Sequence, residues 1–277
     1  MIDIKKAHEK KKTLVEGLRK MDSLLVAFSG GVDSTFLVSV ARDVMGAKVL
    51  AVTAGGFFYP SRETEEAVSF AREQGIDHLL ITSAAGKLTA FVANSPDRCY
   101  HCKEHLFRKL KDIAEERRIR YIAHASNADD GSDYRPGSRA AEEAGVLAPL
   151  ADAGLSKAEI RHLSMEMGLS TWNKPAMACL ATRIPYGERI TEEKVKMIEE
   201  AETFFAAKGF QQVRVRCHGS LARIEVVQAE FSRIAETLLR KTIVAELKRI
   251  GFLYVSLDLE GYVPGSMNRV LEVPKVS

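Results

Sequence analysis

Ser29-Gly30-Gly31-Val32-Asp33-Ser34-Thr35 is the stretch that decides the fold of this 277-residue chain. An apolar run at residues 24–28 precedes it and indicates a buried parallel strand, and apolar residues at helical spacing follow it over residues 36–45. The two glycines allow a tight turn and a close approach of the backbone to a ligand. Ser34 and Thr35 lie where the helix begins, and its unpaired N–H groups favour an anion such as a phosphate. The stretch therefore predicts a strand–loop–helix unit that binds phosphate.

The loop differs from a Walker A motif, which needs a lysine beside the Ser/Thr to reach the β- and γ-phosphates. Asp33 occupies that position here. A loop without the lysine fits ATP that is cleaved between the α and β phosphates, with pyrophosphate held in the loop. The seven residues resemble the pyrophosphate loop of the PP-loop ATPases, which adenylate a substrate oxygen and then displace AMP with a nucleophile. The alternative is a Ser/Gly-rich turn of an unrelated nucleotide-binding fold.

The resemblance to PP-loop enzymes assigns roles to the loop residues. It implies that ATP and pyrophosphate contact Ser29, Gly30, Gly31, Asp33, Ser34 and Thr35. Asp33 is also a candidate catalytic residue, because it can orient the loop or help to hold Mg²⁺. Further acidic candidates for Mg²⁺ are Asp129, Asp130 and Asp133, although a solvated loop explains them as well.

The composition is that of an ordinary soluble protein, long enough for one large domain or two smaller ones. The 40 basic and 37 acidic residues give a net charge of +3, which weighs against a nucleic-acid partner. No apolar run approaches the roughly 20 residues of a membrane span, and the charged N-terminus lacks the apolar region of a signal peptide. Four cysteines do not indicate a secreted disulfide scaffold. We therefore expect a cytoplasmic protein with no membrane partner.

Predicted strands and helices alternate along the first part of the chain. The strands are predicted at residues 24–28, 48–53, 78–82, 120–123 and 146–150, and the helices at residues 4–21, 36–45, 61–74, 103–118, 136–144 and 156–167. This order predicts an α/β fold with a doubly wound parallel sheet. Ligands of such sheets bind at the carboxyl ends of the strands. We therefore expect Thr53 and Asn127, which follow the second and fourth strands, to flank the nucleotide.

The pattern changes after residue 173. A segment punctuated by proline and glycine surrounds Cys179 and is followed by a helix at residues 191–208 and strands at residues 212–217 and 222–227. A helical stretch at residues 230–250 and a last strand at residues 253–259 complete it. We predict a PP-loop ATP-binding domain over residues 1–173 and a smaller α+β domain over residues 174–277, which serves substrate binding or oligomerisation.

The cysteines are candidates for metal binding or catalysis. Cys99 and Cys102 form a CxxC just before a predicted helix. There is no second CxxC, so a structural zinc site is incomplete, whereas a redox pair is possible because a helix N-terminus lowers the pKa of a thiol. Cys179 lies in a loop bounded by proline and glycine, where chemistry is often located. Cys217 ends a predicted strand and is expected to be a buried thiol.

Charged residues after position 180 are candidates for binding a phosphate. Arg214 and Arg216 alternate on a predicted strand and therefore point to the same face. Two guanidinium groups on one face suit a substrate phosphate, and Glu225 on the next strand can orient them. The alternative is an exposed, salt-bridged strand face. Arg183 is a candidate for contact with substrate or ATP phosphate, or a surface charge.

Six motifs in order along nearly the whole chain resemble the LarE-type family of ATP-dependent sulfur transferases of nickel-pincer nucleotide cofactor synthesis. They are SGGVDST, RCYHCK, SNADDGSDYRPG, KPAMACLATRIPYGERIT, VRVR and GYVPGSMN. The resemblance implies that ATP adenylates a carboxylate of pyridinium-3,5-biscarboxylic acid mononucleotide. Sulfur then attacks the acyl-adenylate, AMP departs and a thiocarboxylate remains. The resemblance also implies a nucleotide-phosphate site at Arg214 and Arg216, and a homo-oligomer.

The same resemblance places Cys179 at the centre of the sulfur chemistry. In some members the matching cysteine gives up its own sulfur and becomes dehydroalanine, whereas others use three cysteines to hold a [4Fe-4S] cluster that carries a transferable sulfide. Because this chain has Cys99 and Cys102 as well as Cys179, we favour the cluster, with one iron left open by the three thiolates. The ultimate source of the sulfur is not given by the sequence.

Two other classes of function remain open. One is another PP-loop enzyme, either a tRNA thiolase or an ammonia-using synthetase; a tRNA enzyme should carry a strongly basic surface, and both leave the Cys179 loop unexplained. The other is a non-enzymatic nucleotide-binding sensor, against which the intact SGGVDST loop argues.

Overall fold

The structure, a computed structural model, describes residues 2–132, 136–175 and 178–271. It divides into two compact units. The first runs over Met1–Leu88 and Cys99–Met177, and the second over Thr89–Arg98 and Ala178–Ser277. The assignment of ATP binding to residues 1–173 and of substrate binding or oligomerisation to residues 174–277 remains a prediction.

The secondary structure follows the predicted alternation closely. The helices are α1 Ile4–Arg19, α2 Val32–Met45, α3 Ser61–Glu73, α4 Thr89–Val92, α5 Arg98–Glu116, α6 Pro136–Glu143, α7 Pro149–Asp152, α8 Lys157–Glu166, α9 Glu192–Ala207, α10 Phe231–Ala235 and α11 Thr237–Ile250. The strands are β1 Leu24–Ala27, β2 Val49–Gly55, β3 Asp77–Thr82, β4 Tyr121–Ala123, β5 Val213–His218, β6 Leu221–Val226 and β7 Tyr254–Leu257. Among the described residues, no helix is both long and apolar enough to span a bilayer.

The first unit is built on a parallel sheet with the strand order β3-β2-β1-β4. Each neighbouring pair of strands is parallel. The chain moves from β1 through β2 to β3 on one side and then returns to place β4 on the other side. The carboxyl end of β1 is thus a topological switch point, where doubly wound folds bind ligands. The predicted α/β fold class is confirmed.

Alternating residues of β1 belong to two different hydrophobic cores. Leu24 and Val26 pack into a cluster with residues of α1, α2, α3 and α8. Leu25 packs into another cluster with residues of α5 and α6. Successive side chains of a strand point to opposite faces, so the sheet is covered on both sides, as parallel sheets require.

Several elements differ from their predicted bounds. The predicted strand at residues 146–150 is reduced to a single bridge between Leu147 and Ala123. Pro149 explains this, because it occupies the first turn of α7, where its fixed φ angle favours a helix. α2 begins at Val32, inside the glycine loop, and α5 begins before both CxxC cysteines rather than after them. The helical stretch predicted at residues 230–250 consists of two helices, α10 and α11.

The second unit contains a sheet with the strand order β5-β6-β7, in which β5 and β6 are antiparallel and β6 and β7 are parallel. Arg214 and Arg216 share one face of β5, and Val215 and Cys217 share the other. Cys217 is fully buried, as predicted, and burial raises the pKa of its thiol to about 11.

Asn94 links the early segment Thr89–Arg98 to the rest of the second unit. Its Nδ2 donates hydrogen bonds to the carbonyl oxygens of Pro185 at 2.7 Å and Glu188 at 3.0 Å. Its Oδ1 accepts a hydrogen bond from Arg98 Nη1 at 2.9 Å. Because Asn94 is fully buried, each of these groups would cost free energy if left unpaired. This explains why a segment that precedes the CxxC in sequence belongs to the second unit.

Candidate functional site

The glycine loop leaves the start of α2 open to an anion. Gly31 is the N-cap and supplies no side-chain hydrogen bond. Within the described ranges, no protein acceptor is found for the N–H groups of Val32, Asp33 and Ser34. The hydroxyl of Thr35 is buried and has no hydrogen-bond partner there either. Unpaired N–H groups at a helix N-terminus are a ready-made phosphate site, so the predicted phosphate-binding groups converge at one place.

A network of two serines fixes the shape of this loop. Ser34 Oγ donates a hydrogen bond to the carbonyl oxygen of Gly31 at 3.1 Å and accepts one from the N–H of Ser29 at 3.3 Å. Since the Ser34 hydroxyl hydrogen is already used, Ser29 Oγ is the donor in the 3.1 Å contact between the two hydroxyl groups. The two predicted serines therefore tie the N–H of Ser29 to the carbonyl group of Gly31 through the Ser34 hydroxyl.

Gly30 cannot be replaced without moving the loop. Its φ angle is +70°, which side-chain-bearing residues rarely adopt. A Cβ atom at Gly30 would also lie 2.8 Å from the Cβ of Ala67 on α3. Both reasons require glycine here, and the close approach of α3 fixes the position of the loop.

Asp33 connects the loop to two distant parts of the first unit. Its Oδ2 accepts hydrogen bonds from Lys157 Nζ at 2.7 Å and from Asn127 Nδ2 at 3.3 Å. Its Oδ1 is buried and has no partner among the residues that the structure describes. An unpaired carboxylate oxygen beside a phosphate site suits Mg²⁺, which prefers oxygen ligands. The structure thus brings two predicted residues, Asp33 and Asn127, together and adds Lys157, which sequence reasoning missed.

The acidic candidates after Asn127 shape the loop itself. Asp130 Oδ2 accepts a hydrogen bond from the Asn127 N–H at 3.1 Å. Asp129 Oδ2 accepts one from the Lys157 N–H at 2.8 Å. These carboxylates therefore already satisfy backbone donors. Asp133, the third candidate, lies outside the described residues.

Thr53 is buried beside the loop, and its hydroxyl group is occupied. The hydroxyl donates a hydrogen bond to the carbonyl oxygen of Phe28 and lies 2.8 Å from His78 Nε2. Because the single hydroxyl hydrogen is used by Phe28, His78 Nε2 is the donor in the second contact. Burial lowers the pKa of His78. β2 continues to Gly55, so Thr53 precedes the end of its strand, and its contact with a nucleotide remains a prediction.

The CxxC lies in the first turns of α5 in the first unit. Cys99 is exposed and Cys102 is partly buried, and neither forms a disulfide. Residues three apart on a helix share a face, so the two thiols can act as a pair. The hydroxyl of Tyr59 lies 3.8 Å from Cys102 Sγ. Burial raises the pKa of Cys102 to about 11, so this thiol does not have the lowered pKa of a reactive thiolate.

Cys179 lies in the second unit and is held through its backbone. Its carbonyl oxygen accepts hydrogen bonds from the Thr182 hydroxyl at 2.8 Å and from Arg183 Nη1 at 3.3 Å. Arg183 also donates to the carbonyl oxygen of Ala178 at 2.8 Å, and its guanidinium forms two 2.9 Å bonds with the carboxylate of Glu202. These bonds fix the backbone from which the Cys179 thiol projects.

The buried position of Arg183 excludes one of the two sequence interpretations. Its side chain is 0% exposed, so it is not a surface charge. Its contact with a substrate or ATP phosphate remains a prediction. The reason is the bidentate pair with Glu202, which draws the guanidinium inward. From this buried position the guanidinium holds the carbonyl oxygens of Ala178 and Cys179.

Arg216 and Glu225 form a buried ion pair on the second sheet. Arg216 Nη2 donates to Glu225 Oε2 at 2.6 Å, and Nη1 donates to the carbonyl oxygen of Thr182 at 3.2 Å. Arg216 Nε is buried and unpaired among the described residues. The other oxygen of Glu225 accepts a hydrogen bond from Arg223 at 3.0 Å. Glu225 therefore orients Arg216, but the salt-bridged face is buried rather than exposed.

Arg214 lies on the same face, also 5% exposed. Its Nη1 donates to the carbonyl oxygen of Val213 at 2.7 Å, and its guanidinium lies 5.2 Å from the centre of the Tyr262 ring. Burial, and then the positive charge of Arg183, lower the pKa of Arg214. An anion would relieve this unfavourable burial of charge. The predicted phosphate contact of Arg214 and Arg216 remains a prediction.

The sequence also predicted a metal site at Cys99, Cys102 and Cys179. Across residues 2–132, 136–175 and 178–271, no group of three His, Cys, Asp or Glu side chains is gathered at a metal site. Cys99 and Cys102 belong to the first unit and Cys179 to the second. The structure of each unit by itself therefore contains at most part of the predicted ligand set.

Comparisons with known proteins give the family. No family model matches the chain. A protein of Synechocystis described as uncharacterized protein slr1717 is 41% identical over 261 residues, which cover 93% of this chain and 97% of that protein. Uncharacterized protein MJ0830 of Methanocaldococcus jannaschii is 29% identical over 95% of this chain and 99% of its own.

A third relative has a named activity. The pyridinium-3,5-bisthiocarboxylic acid mononucleotide synthase of Lactiplantibacillus plantarum is 36% identical over 264 residues, and the match covers 95% of both chains. Similarity of this extent confirms the resemblance that the six sequence motifs indicated. The chain belongs to the LarE family, the family of pyridinium-3,5-bisthiocarboxylic acid mononucleotide synthases.

Proposed function

We propose that this protein uses ATP to adenylate a carboxylate of pyridinium-3,5-biscarboxylic acid mononucleotide and then replaces the activated oxygen with sulfur. The product is the thiocarboxylate used in nickel-pincer nucleotide cofactor synthesis. The observation that carries the proposal is the open start of α2, where the unpaired N–H groups and the Thr35 hydroxyl converge beside Asp33. The name of the Lactiplantibacillus plantarum relative supports the choice of substrate.

The chemistry explains why ATP is needed. A free carboxylate is a poor electrophile, because its oxygen is a poor leaving group. Attack of the carboxylate oxygen on the α-phosphorus of ATP forms an acyl-adenylate and breaks the bond to pyrophosphate. The loop N–H groups stabilise the charge that develops on the leaving pyrophosphate. Mg²⁺, which would be held by Asp33 Oδ1, supplies further neutralisation of that charge.

The second half of the reaction requires a sulfur nucleophile. Sulfur attacks the acyl carbon, the new C–S bond forms, and the bond to AMP breaks. We place this step at Cys179, whose backbone is fixed by Arg183 and Thr182. In the favoured route Cys99, Cys102 and Cys179 would be the thiol ligands of a [4Fe-4S] cluster, which would supply a transferable sulfide. In the alternative the Cys179 thiolate attacks the acyl carbon and forms a thioester. Removal of the Cα proton of Cys179 then breaks its Cβ–S bond, which leaves dehydroalanine and the thiocarboxylate. We place the phosphate of the substrate near Arg214 and Arg216, and we expect a homo-oligomer.

Replacement of Asp33 by asparagine tests the adenylation half. The amide keeps the shape of the side chain but loses the charge that Mg²⁺ and Lys157 need. We expect substrate-dependent pyrophosphate release to fall by roughly 100-fold, the size of effect seen when one electrostatic group is removed from a catalytic site. The release is measured with purified protein, ATP, Mg²⁺ and the pyridinium nucleotide.

Asp152→Asn is the matched control, because it removes the same charge from an exposed residue of α7 that lies outside the glycine loop. Its pyrophosphate release should equal that of the unaltered protein. Full release by Asp33→Asn would refute the role assigned to Asp33. Absence of release by the unaltered protein with this nucleotide would refute the proposed substrate.

A further inference from the structure

Lys174 joins the glycine loop to α3. Its Nζ donates a hydrogen bond to the carbonyl oxygen of Gly30 at 3.2 Å. The same atom lies 2.7 Å from Glu63 Oε2 and 2.8 Å from Glu66 Oε2 on α3. An ammonium group has three N–H donors, so these contacts use all of them. The Lys174 side chain is only 13% exposed, so these contacts are largely shielded from solvent.

The contact with Gly30 determines which way the next N–H group points. In a trans peptide, the carbonyl oxygen and the following N–H lie on opposite sides. Because the Gly30 oxygen is directed towards Lys174, the N–H of Gly31 is directed to the opposite side. Its hydrogen-bond partner there is Ser29 Oγ at 3.4 Å, which is a weak contact. The Gly31 N–H is therefore available for a stronger acceptor.

A peptide between two glycines needs an external restraint to keep one orientation. Glycine adopts positive and negative φ angles with similar ease, so the Gly30–Gly31 peptide can rotate at little steric cost. A rotated peptide would present the Gly30 carbonyl oxygen, a negative dipole, where the N–H now points. Among the described residues, Lys174 is the donor found for this oxygen.

The two glutamates fix the lysine and prevent it from acting as a phosphate ligand. Burial alone would raise the pKa of Glu66, but hydrogen bonds from Lys174 and Arg62 outweigh burial and lower it. The carboxylates of Glu63 and Glu66 therefore hold Lys174 at the loop. With two carboxylates on one ammonium, little positive charge is left for a phosphate.

From these contacts we infer that Lys174 is a positioning residue, which holds the Gly30–Gly31 peptide with its N–H directed at the leaving pyrophosphate. The ligand of this N–H is an anionic phosphate oxygen. The inference rests on the proposed function, since it assumes that pyrophosphate occupies the loop. It gives Lys174, the first residue of the KPAMACLATRIPYGERIT motif, a role in the adenylation half of the reaction.

Lys174→Met tests the inference, because methionine has a similar length and no donor. Its affinity for magnesium pyrophosphate, measured by calorimetry, should fall roughly 10- to 100-fold, the effect of losing a hydrogen bond to a charged group. Arg62→Met is the matched control: Arg62 also binds Glu66, at 2.7 Å, but it is exposed and is not a contact of the loop. Its affinity should stay within about twofold, since exposed ion pairs contribute little.

Lys174→Arg and the unaltered protein complete the design. Arginine keeps the charge and can reach the same acceptors, so it should restore part of the pyrophosphate affinity, whereas a general loss of folding would not be rescued in this way. Equal affinity of Lys174→Met and the unaltered protein would overturn the inference. If the unaltered protein itself does not bind pyrophosphate, the proposed function fails instead.

A second measurement needs no variant. In protein labelled with ¹⁵N-glycine, addition of magnesium pyrophosphate should shift the amide signal of Gly31 strongly, because a phosphate oxygen replaces the weak contact with Ser29. An unchanged Gly31 signal under saturating pyrophosphate would overturn the inference, even if Lys174→Met did not fold.

Discussion

Gly30→Ala should reduce substrate-dependent pyrophosphate release by about 100-fold or more. The added Cβ would lie 2.8 Å from Ala67 Cβ and 3.2 Å from Ala67 Cα, distances that force the loop away from α3. The φ angle of +70° adds further strain for alanine. A displacement of about 1 Å in catalytic groups can cost roughly 100-fold in rate. Release is measured under saturating ATP, and thermal melting confirms that the variant is folded.

Ala67→Gly provides the matched rescue for this variant. Alone, it removes the opposing Cβ and costs about 1 kcal/mol of helix stability, so it should retain most of the activity. Combined with Gly30→Ala, it removes the shortest contact and leaves the unfavourable φ angle, so the double variant should be more active than Gly30→Ala alone. Activity of Gly30→Ala equal to that of the unaltered protein would show that close packing against α3 does not position the loop.

Cys179→Ala should abolish thiocarboxylate formation, with a loss on the order of 1,000-fold or more, because the thiol that either donates the sulfur or holds its carrier is removed. Pyrophosphate release in the first turnover should continue, because the groups proposed for adenylation lie in the loop of the first unit. Arg183 and Thr182 bind the carbonyl oxygen of Cys179 rather than its sulfur, so the backbone should keep its position. Both products are measured in the same quenched reaction.

Cys217→Ala is the control, since Cys217 is a fully buried thiol on β5 of the same unit. It should lose some stability but keep thiocarboxylate formation. Full activity of Cys179→Ala would contradict the central role of this thiol in both routes for sulfur.

Iron, sulfide and mass analysis of the purified protein distinguish the two routes for sulfur. Anaerobic purification should give iron and sulfide that are lost in Cys99→Ala, Cys102→Ala and Cys179→Ala if these residues hold a cluster. If Cys179 is sacrificed, the protein should be free of iron and should lose the mass of H₂S at this residue after turnover. Burial raises the pKa of the Cys102 thiol to about 11. Loss of iron in Cys102→Ala would therefore be informative, because it would show that this thiol ionises to bind iron.

The strand–loop–helix unit around the glycine loop could be predicted from the sequence because its determinants are local. The strand β1, the two glycines and the start of α2 follow one another directly in the sequence, so their spacing alone predicts the unit. Asn127 could also be placed near Asp33, because the carboxyl ends of parallel strands meet at one edge of the sheet. Lys157 and Lys174 could not, because they lie 124 and 144 residues from their partners in the loop.

The second unit shows where the sequence pattern is insufficient. Alternation on β5 correctly placed Arg214 and Arg216 on one face, but alternation does not tell whether that face is buried. Contacts with Thr182 and Tyr262, which come from segments before and after the sheet, accompany the burial of these arginines. For Arg183, the decisive partner is Glu202, which lies 19 residues away on α9. A long charged side chain is predicted to be exposed when its partner is unknown, because such residues are rarely buried unless they are paired.

The most direct test measures pyrophosphate, AMP and thiocarboxylate together in one reaction. Purified protein is mixed with ATP, Mg²⁺ and pyridinium-3,5-biscarboxylic acid mononucleotide, and the products are separated and weighed by mass spectrometry. We expect pyrophosphate and AMP only when ATP and this nucleotide are both present, and one of each for every oxygen replaced by sulfur. Release of ADP and phosphate, or of pyrophosphate only with tRNA or with an amine acceptor, would contradict the proposed function.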